Sequence, residues 1–510
     1  MAIVEWLSDA PAEPRRWQTR SPATLEPLES WEAARPEDVR AAVERARKAQ
    51  REWAAAGFAE RARRLRRALR VLLAREAEFA ATIERETGKP AVEILSSELL
   101  PAADAIEFYA KRAKRVLADR TLPLHLLKSK KLKLVYKPLG VVGIITPWNF
   151  PFILALNPTV QALAAGNGVV LKPSEATPAT GRLVEALFRE AGLPDGLVAC
   201  AVGDGATGAA LVEAGVDKVS FTGSERTGRK IAEACGRALI PCTLELGGKD
   251  PMIVCADADV ERAAAGAVYG AFANAGQVCV STERVYVVDA VADEFVRRVV
   301  EHTGRLRQGS GGEADVGPMI WAPQLDVVER HVEDARRRGA HVLTGGRRNP
   351  RYEGLYYEPT VLVDVDHDML VMREESFGPL LPIMRVRDEA EALRLANDSG
   401  YGLNASVWSR DKRRGAELAR AIESGCAVVN DCLVTYGIAE SPFGGVKASG
   451  IGRVNGDMGL KGYCHVQSIV VDRFGAKSEL LWFPYEARKV RWLRRLLHFV
   501  WGTPIGRWLS

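Results

Sequence analysis

Strand-like and helix-like segments alternate along this chain from Leu139 onward, and the alternation leaves few folds open. Short apolar runs predict strands at Val141–Ile145, Val198–Val202, Lys218–Phe221, Thr243–Leu246 and Met252–Val254. Helical periodicity occurs between and after them, at Gly181–Ala191, Ala206–Ala214, Thr227–Gly236, Asp257–Ala271, Ala292–Leu306 and Ala390–Asn397. Such alternation predicts a largely parallel sheet with helices on both faces. Because 510 residues exceed what one core accommodates, we predict two or three domains, and the second series of strands and helices after Met252–Val254 predicts that two of them are α/β.

The amino-terminal segment from Pro36 to about Glu84 has helical periodicity throughout. Its apolar side chains form two helical stripes, Val39, Ala42, Val43 and Ala46 in one and Leu65, Leu69, Leu72 and Leu73 in the other. The arginines from Arg63 to Arg67 surround the second stripe, which favours a solvated helix face over a site for an acidic partner. Residues 129–138 alternate in polarity instead and predict a strand.

Charge and cysteine usage exclude several classes of function. The formal net charge is only +5, and no helix-turn-helix or zinc-finger pattern occurs, so we expect no nucleic-acid partner. None of the eight cysteines forms a CxxC pair and none of the seven histidines has metal-ligand spacing, so we expect no metal site. Unpaired cysteines favour a reducing, cytoplasmic compartment in which most thiols are small buried apolar groups.

Neither of the two segments that could suggest membrane targeting fits that role well. Residues 1–16 mix Glu5, Asp9 and Glu13 with short apolar pieces and lack the core of a signal peptide. The most apolar stretch, 139–156, is interrupted by two prolines and an asparagine between positions 147 and 151. A buried strand followed by an active-site loop is therefore favoured over a transmembrane helix.

Seven short segments combine polar or reactive residues with glycine, proline and apolar runs. They are Thr146–Pro151 (TPWNFP), Val170–Glu175 (VLKPSE), Ser220–Gly228 (SFTGSERTG), Thr243–Lys249 (TLELGGK), Gly276–Arg284 (GQVCVSTER), Glu374–Leu380 (EESFGPL) and Pro442–Gly450 (PFGGVKASG). Each segment alone is weak evidence of function, because Cys279 could be a packed core residue and Glu245 could be a paired carboxylate on a strand. Together, in this linear order, they resemble the aldehyde dehydrogenase superfamily over roughly residues 39–470.

The resemblance implies an enzyme that oxidises an aldehyde to a carboxylic acid with NAD(P). Cys279 matches the nucleophile, whose thiolate adds to the carbonyl and later leaves from a thioester. Asn149 matches the side-chain donor that stabilises the resulting oxyanion together with the backbone N–H of Cys279. Glu245 matches the general base that activates water. Because the coenzyme A-dependent branch usually lacks this glutamate, hydrolysis is favoured.

Further matches imply the cofactor site. Lys172 and Glu175 match the pair that binds the adenosine ribose, and Gly223 and Ser224 match a pyrophosphate contact at a helix amino terminus. Glu375 and Phe377 match a nicotinamide-ribose ligand and an aromatic packed near the nicotinamide, and Trp148 is assigned to the same site. A carboxylate near the ribose 2′ position favours NAD, with NADP as the alternative because this glutamate can swing aside.

Two glycine patterns compete with these assignments. Residues 203–208 (GDGATG) satisfy GxGxxG, yet they lie at the wrong point for the cofactor contacts that the resemblance implies, so we interpret them as a turn and helix start. Residues 223–229 (GSERTGR) have the glycine spacing of a P-loop but lack its Lys-Ser/Thr pair, which excludes a P-loop.

The resemblance also implies the architecture of an aldehyde dehydrogenase fold. We predict a Rossmann-like dinucleotide-binding domain over 1–117 and 139–247, an α/β catalytic domain over 248–450, and a small β oligomerisation arm over 118–138 and 451–472. Such arms pair across subunits, so we expect a homodimer or homotetramer. One position departs from the family pattern: Val454 replaces a glutamate that relays protons in many relatives, which puts the proton-exit route in doubt.

The tail over 473–510 departs from the common family end. Residues 488–501 predict an amphipathic helix with one apolar face, one basic face and Trp492 beside the seam. Such a helix either docks on its own or a partner subunit, or makes peripheral contact with a membrane surface. The tail is somewhat similar to that of fatty-aldehyde dehydrogenases, which implies a medium- or long-chain aliphatic aldehyde as substrate.

Two other functions are weighed against that substrate class. A semialdehyde dehydrogenase of amino-acid or polyamine catabolism would share every catalytic residue and would need a donor for the substrate carboxylate. A catalytically retired scaffold or membrane-associated protein would have no chemical need to keep Asn149, Glu245 and Cys279 together.

Overall fold

The computed structural model describes residues 4–8, 15–504 and 507, and it begins with three strands and a series of helices. The antiparallel strands are β1 (Val4–Ser8), β2 (Arg16–Arg20) and β3 (Pro27–Glu32). Helices α1 (Pro36–Ala55), α2 (Gly57–Ala74), α3 (Glu76–Thr87) and α4 (Ala91–Glu93), a π-helical turn (Ile94–Leu99) and α5 (Leu100–Leu117) follow. The helical periodicity from Pro36 to Glu84 is therefore confirmed, whereas the signal-peptide prediction rests largely on residues 1–3 and 9–14, outside the described residues.

The basic run on α2 is a solvated helix face with local ion pairs. Arg63 and Arg64 both pair with Glu60, one turn earlier, at 2.6 and 2.8 Å. Arg66 pairs with Glu107 of α5 at 3.0 Å. These arginines already have carboxylate partners within the chain.

A six-stranded sheet follows the strands β4 (Arg120–Leu122) and β5 (Lys130–Pro138). Its chain order is β6 (Val141–Ile145), α6 (Ile153–Ala165), β7 (Gly168–Lys172), α7 (Pro178–Glu190), β8 (Val198–Cys200), α8 (Gly205–Glu213), β9 (Lys218–Thr222), α9 (Glu225–Ala238) and β10 (Cys242–Glu245). Strands β10, β9, β6, β7 and β8 lie side by side and parallel. This is the predicted parallel sheet, and β6 and β7 are buried throughout because helices cover the sheet.

A second sheet of seven strands contains most of the remaining chain. Its elements are β11 (Asp250–Val254), α10 (Val260–Phe272), a 3₁₀ turn (Ala273–Gly276), β12 (Thr282–Val288), α11 (Asp289–Gly304), α12 (Ala322–Arg337), β13 (His341–Thr344), β14 (Thr360–Val363), α13 (Leu370–Arg373), β15 (Leu380–Val386), α14 (Glu389–Asn397), β16 (Ser406–Trp408), α15 (Lys412–Ala421) and β17 (Val428–Val429). The strand order is β13-β14-β15-β12-β11-β16-β17, and all neighbours except β13 and β14 are parallel.

Three short elements complete this part of the chain. They are a 3₁₀ turn (Lys447–Ser449), β18 (Gly450–Ile451) and α16 (Gly456–Lys461). Strand β18 adds to the six-stranded sheet, antiparallel to β10.

The chain divides into two compact units. The first comprises residues 1–116 and 138–463, and the second comprises residues 117–137 and 464–510. The second contains β4 and β5 with β19 (Cys464–Asp472) in one sheet, and it ends with α17 (Ala487–Gly502). Within the described residues no helix has both the length and the apolar character needed to cross a membrane. The finer division into cofactor domain, catalytic domain and arm stays a prediction.

Cysteine burial differs in part from expectation. Only half of the eight cysteines are buried, whereas most were expected to be. The buried ones are Cys200, Cys235, Cys255 and Cys432, and the partly exposed ones are Cys242, Cys279, Cys426 and Cys464. Two of them contact each other, because the Cys235 and Cys242 side chains form a hydrogen bond. The sequence spacing gave no indication of that contact.

Candidate active site

The predicted site residues lie at the edges of the two sheets in the first unit. Asn149 follows β6, Glu175 follows β7, Ser224 follows β9, and Glu245 is the last residue of β10. Parallel strands have their carboxyl ends at one edge of a sheet, which brings these loops together. From the other sheet, Cys279 precedes β12, and residues 375–377 precede the neighbouring β15.

One cavity of about 970 Å³ collects all ten predicted site residues. They are Trp148, Asn149, Lys172, Glu175, Gly223, Ser224, Glu245, Cys279, Glu375 and Phe377. The three residues assigned to catalysis and the seven assigned to the cofactor therefore line one cavity, although six separate sequence segments supplied them. Their individual roles stay predictions.

The thiol of Cys279 lies among apolar side chains. It is half-buried against a cluster that comprises Val278, Val280, Leu403, Phe443 and Val454, with Phe150, Cys426, Leu433 and Tyr436 packed around it. Burial raises the pKa of the thiol, and the nearby carboxyl groups of Asp250, Glu245 and Glu375 raise it further. The resting thiol therefore holds its proton at neutral pH, and attack on a carbonyl requires a proton acceptor.

Glu245 is an unpaired carboxyl group rather than a paired strand carboxylate. Its side chain is 5% exposed, and neither carboxyl oxygen has a hydrogen-bond partner. Burial raises its pKa well above the ordinary value, while the guanidinium of Arg453 acts in the opposite direction. A buried carboxyl group with a raised pKa is suited to general-base work near neutral pH.

Asn149 presents an amide that is only partly used by the fold. The residue is 2% exposed, and Nδ2 donates one hydrogen bond to the backbone oxygen of Gln277 at 3.0 Å. An amide nitrogen carries two hydrogens, so a second N–H is available to an oxyanion. The neighbouring Trp148 ring meets Phe377 edge-on, with 5.5 Å between centroids.

Gly247 and Gly248 let the backbone approach both Glu375 and the thiol loop, which is the segment 277–281 that contains Cys279. The Gly248 N–H donates to Glu375 Oε1 at 3.0 Å. A Cβ atom at position 247 would lie 2.5 Å from Glu375 Oε2, and one at position 248 would lie 2.7 Å from the backbone oxygen of Cys279. Only glycine fits at position 248, where backbone blocks a side chain, whereas a side chain at position 247 would displace the Glu375 carboxyl group. Burial and the nearby Glu283 raise the pKa of Glu375 to about 8.

The cavity lining also includes donors suited to a dinucleotide. Lys172 Nζ lies 3.3 Å from Glu175 Oε2, which makes a cation–carboxylate pair able to bind ribose hydroxyls. Ser224 caps α9 and accepts a hydrogen bond from the Thr227 N–H. The amino terminus of this helix lines the cavity, where its remaining N–H groups favour an anion. This donor set fits the two riboses and the pyrophosphate of NAD(P).

The glycine pattern at 203–208 is a turn and helix start, as predicted. Asp204 caps α8 and accepts from the N–H groups of Ala206 and Thr207 at 3.0 and 3.5 Å. Gly205 and Gly208 nevertheless line the cavity, which the sequence interpretation missed. A helix start directly after β8, at the same sheet edge as the other loops, was the signal that could have indicated it.

Two further features complete the site. Val454 is buried in the apolar cluster, and its backbone pairs with that of Phe443 through two hydrogen bonds of 2.8 Å. The position predicted to lack a relay carboxylate therefore holds an enclosed apolar side chain.

Across residues 4–8, 15–504 and 507, no group of three or more His, Cys, Asp or Glu side chains is arranged to hold a metal ion.

The amino-acid sequence is similar to those of known proteins over most of its length. A family model described as "Aldehyde dehydrogenase family" matches residues 8–469. A 4,4'-diapolycopene aldehyde oxidase from a Methylomonas species is 42% identical over 92% of this chain and 88% of that protein. A glutarate-semialdehyde dehydrogenase from Pseudomonas putida is 38% identical over 88% of this chain and 93% of that protein.

Solved structures agree with the sequence relatives. The NAD+ complex of an aldehyde dehydrogenase from Bacillus cereus has a TM-score of 0.86 and 35% identity, covering 90% of this chain and 93% of that one. An NADP-dependent enzyme from E. coli has a TM-score of 0.86 and 35% identity, covering 93% and 98%. These matches confirm the predicted fold class.

Proposed function

Because the chain belongs to the aldehyde dehydrogenase family, we propose that it oxidises an apolar aldehyde of medium or long chain to the carboxylic acid, with Cys279 as nucleophile. Family membership makes it an NAD(P)-dependent aldehyde dehydrogenase. The residue roles, the substrate class and the preference for NAD are the proposed part. The observation that carries them is one cavity in which a thiol, an amide with a free N–H and an unpaired carboxyl group meet.

The residue roles follow from the chemistry that each group offers. The Cys279 thiol releases its proton to water as its sulfur bonds to the aldehyde carbon, and the second Asn149 N–H and the Cys279 backbone N–H hold the oxyanion. When bound, NAD(P) supplies the hydride acceptor, which leaves an acyl group on sulfur. Glu245 takes a proton from the water that attacks this thioester, and the carbon–sulfur bond breaks to release the acid.

The cofactor contacts are proposed on the donor set described above. Lys172 and Glu175 bind the adenosine ribose, and Gly223 and Ser224 at the start of α9 bind the pyrophosphate. Glu375 binds the nicotinamide ribose, with Trp148 and Phe377 packed beside the ring. The Glu175 carboxylate disfavours a 2′-phosphate, which supports NAD as the preferred cofactor.

The surroundings of Cys279 support an apolar substrate. Cys279 packs against a cluster of aliphatic and aromatic side chains that includes Val280 and Phe443, and Phe150 packs against the same cluster. The strongest charges that act on the thiol come from three carboxyl groups and from no cation. The printed name of the Methylomonas relative, an oxidase of a diapolycopene aldehyde, agrees with an apolar substrate.

Activity is therefore expected to rise with the length of the aldehyde chain. Each buried CH₂ contributes about 0.8 kcal/mol, or about fourfold in kcat/KM, until the space beside Cys279 is filled. The measurement is NADH absorbance with straight-chain aldehydes of three to ten carbons, repeated with NADP. Succinic semialdehyde is the charged comparison, and higher kcat/KM with it than with a neutral aldehyde of equal length would contradict the apolar assignment.

A semialdehyde dehydrogenase is the second candidate, favoured by the printed name of the Pseudomonas relative. Its substrate carboxylate would need a cation near the thiol. Arg453 is the cation that acts on Glu245, but its Nη1 already donates to the backbone oxygens of Gly445 and Gly452 at 3.0 and 2.7 Å. An occupied guanidinium nitrogen favours a role in the fold, which places this candidate second.

The second unit supports the predicted association. The β19 residues are exposed apart from Cys464, and β19 is an edge strand of its sheet, which suits pairing with the same strand of another subunit. A homodimer or homotetramer built through this edge remains part of the proposal. All eight thiols are free, which supports a cytoplasmic location.

Helix α17 carries the features of a membrane-surface contact. Exposed apolar side chains include Trp492 at 46%, Leu497 at 54% and Trp501 at 51%. The same helix has five cations and no carboxylate: Arg488, Lys489, Arg491, Arg494 and Arg495. Because aromatic side chains favour the interface and cations favour anionic headgroups, we propose peripheral contact with an anionic membrane surface.

Flotation with vesicles tests this contact on the full-length protein. We expect recovery with phosphatidylserine-containing vesicles at low salt, loss of most of it at 0.5 M salt, and little with phosphatidylcholine alone. The charge-reversal variant Arg494→Glu/Arg495→Glu should lose the binding and keep its activity toward soluble aldehydes. Equal flotation of variant and wild type would refute the assignment to α17.

A further inference from the structure

Three consecutive residues before the thiol loop have left-handed backbone. Asn274 has φ 50°, Ala275 has φ 53°, and Gly276 has φ 73°. Left-handed backbone costs about 1–2 kcal/mol for a residue such as alanine, so contacts elsewhere must hold this turn. Gln277 provides some of them, because its N–H and its Nε2 both donate to the backbone oxygen of Asn274, at 3.1 and 2.8 Å.

The Asn274 side chain joins the thiol loop to the loop of Asn149. Its Nδ2 donates to the backbone oxygen of Asn149 at 3.0 Å and to that of Gln277 at 3.1 Å. The Gln277 oxygen also accepts from Asn149 Nδ2 at 3.0 Å. Two side-chain amides thus converge on one carbonyl, two residues before Cys279, and fix the position of the Asn149 amide relative to the thiol.

Two glutamate side chains hold the two loops that the Asn274 side chain joins; this contact between the loops is called the junction. Glu93 Oε1 accepts from the Asn274 N–H at 2.7 Å, and Glu93 Oε2 is buried without a partner. Glu98, on the π-helical turn that follows, accepts from the N–H groups of Phe152 and Ile153 at 3.1 and 2.9 Å. The Glu98 carboxylate is paired with the buried Lys89 at 2.6 Å. Each loop is therefore tied to the same short stretch of chain.

We propose that Asn274, held by Glu93, is a positioning residue for aldehyde oxidation that sets the distance between the Asn149 amide and the sulfur of Cys279. This assignment rests on the proposed function, in which that amide receives the oxyanion. Oxyanion donors act only when they lie about 2.7–3.1 Å from the charged oxygen. A misplacement of about 1 Å costs about 10²-fold in rate, so the junction controls kcat without touching the substrate.

The decisive variant is Asn274→Gly, because glycine keeps the left-handed backbone and removes both side-chain donors. We expect kcat to fall about 10²-fold while KM for NAD stays within about twofold. The deuterium isotope effect on kcat with a [1-²H]aldehyde should rise, because weaker stabilisation of the oxyanion lowers the population of the adduct that loses hydride, and hydride loss becomes rate-limiting. A lower folded fraction alone would lower kcat and leave the isotope effect unchanged, so that result would overturn the assignment.

A matched control and a second pair of variants complete the test. Asn430 is also left-handed, at φ 58°, and its Nδ2 donates to Ser409 O at 2.8 Å outside the cavity. Asn430→Gly should therefore keep wild-type kcat and isotope effect. Glu93→Gln keeps an acceptor for the Asn274 N–H and should retain activity, whereas Glu93→Ala should lose it as Asn274→Gly does. Full kcat in both Asn274→Gly and Glu93→Ala would overturn the inference, while an inactive wild type would refute the proposed function instead.

Discussion

Replacement of Cys279 by alanine is expected to abolish aldehyde oxidation, with kcat lowered by at least about 10⁴-fold. Loss of the sulfur removes the covalent pathway altogether, because an aldehyde has no hydride to give until a nucleophile has added to its carbonyl. NAD affinity should be unchanged, since the donors proposed for the cofactor lie on other loops of the cavity. Stopped-flow absorbance should therefore show neither a burst nor steady-state formation of NADH.

The control for that variant is another thiol of the same chain. Cys255 is fully buried directly after β11 and does not line the cavity. Cys255→Ala should keep wild-type kcat, and intact-protein mass spectrometry after rapid mixing with aldehyde and NAD should detect an acyl adduct in it and none in Cys279→Ala. Turnover by Cys279→Ala above about 1% of wild type would refute the nucleophile assignment.

Replacement of Glu245 by glutamine is expected to separate the two halves of the reaction. Glutamine has nearly the same shape but cannot take a proton, so hydrolysis of the thioester should slow by about 10²–10⁴-fold. Acylation should still occur, and the first turnover should appear as a burst of NADH close to one equivalent per active site. Loss of the burst together with steady-state turnover would show that Glu245 is needed before the thioester forms.

The pH dependence of the wild type provides an independent readout of the same group. Burial raises the pKa of Glu245 above the ordinary carboxyl range. A base works in its deprotonated form, so steady-state kcat should increase as pH rises through that raised pKa and should be low where an ordinary glutamate is already ionised. In Glu245→Gln this limb should be absent, and its persistence there would assign the limb to another group.

The fold was accessible from sequence because parallel strands covered on both faces appear as short apolar runs. Residues 141–145 and 218–221 show this directly, because the ends of these two predicted strands lie within one residue of the observed ends. The loops of the site were also accessible, since they follow strands whose carboxyl ends share an edge. The resemblance then assigned roles to ten of the residues that line the cavity.

The supporting contacts were not accessible, because they join residues far apart in the chain through geometry that leaves no local pattern. Asn274 contacts Asn149 across 125 positions, and Glu93 contacts Asn274 across 181. In the sequence, nothing distinguishes the buried pair of Lys89 and Glu98 from other charged residues of a helical segment. The sequence Asn-Ala-Gly at 274–276 was a local indication of an unusual turn, because asparagine and glycine tolerate left-handed backbone.

The protonated state of the resting thiol bears on how long the enzyme survives between substrates. Peroxides and alkylating agents react with sulfur mainly as the thiolate, so a cysteine that retains its hydrogen is attacked slowly. Burial and the neighbouring carboxyl groups raise the pKa of the Cys279 thiol, so we expect peroxides and alkylating agents to react slowly with the resting protein. If Cys279 is the nucleophile, the side chains that protect it from oxidation also require its proton to be removed before each attack.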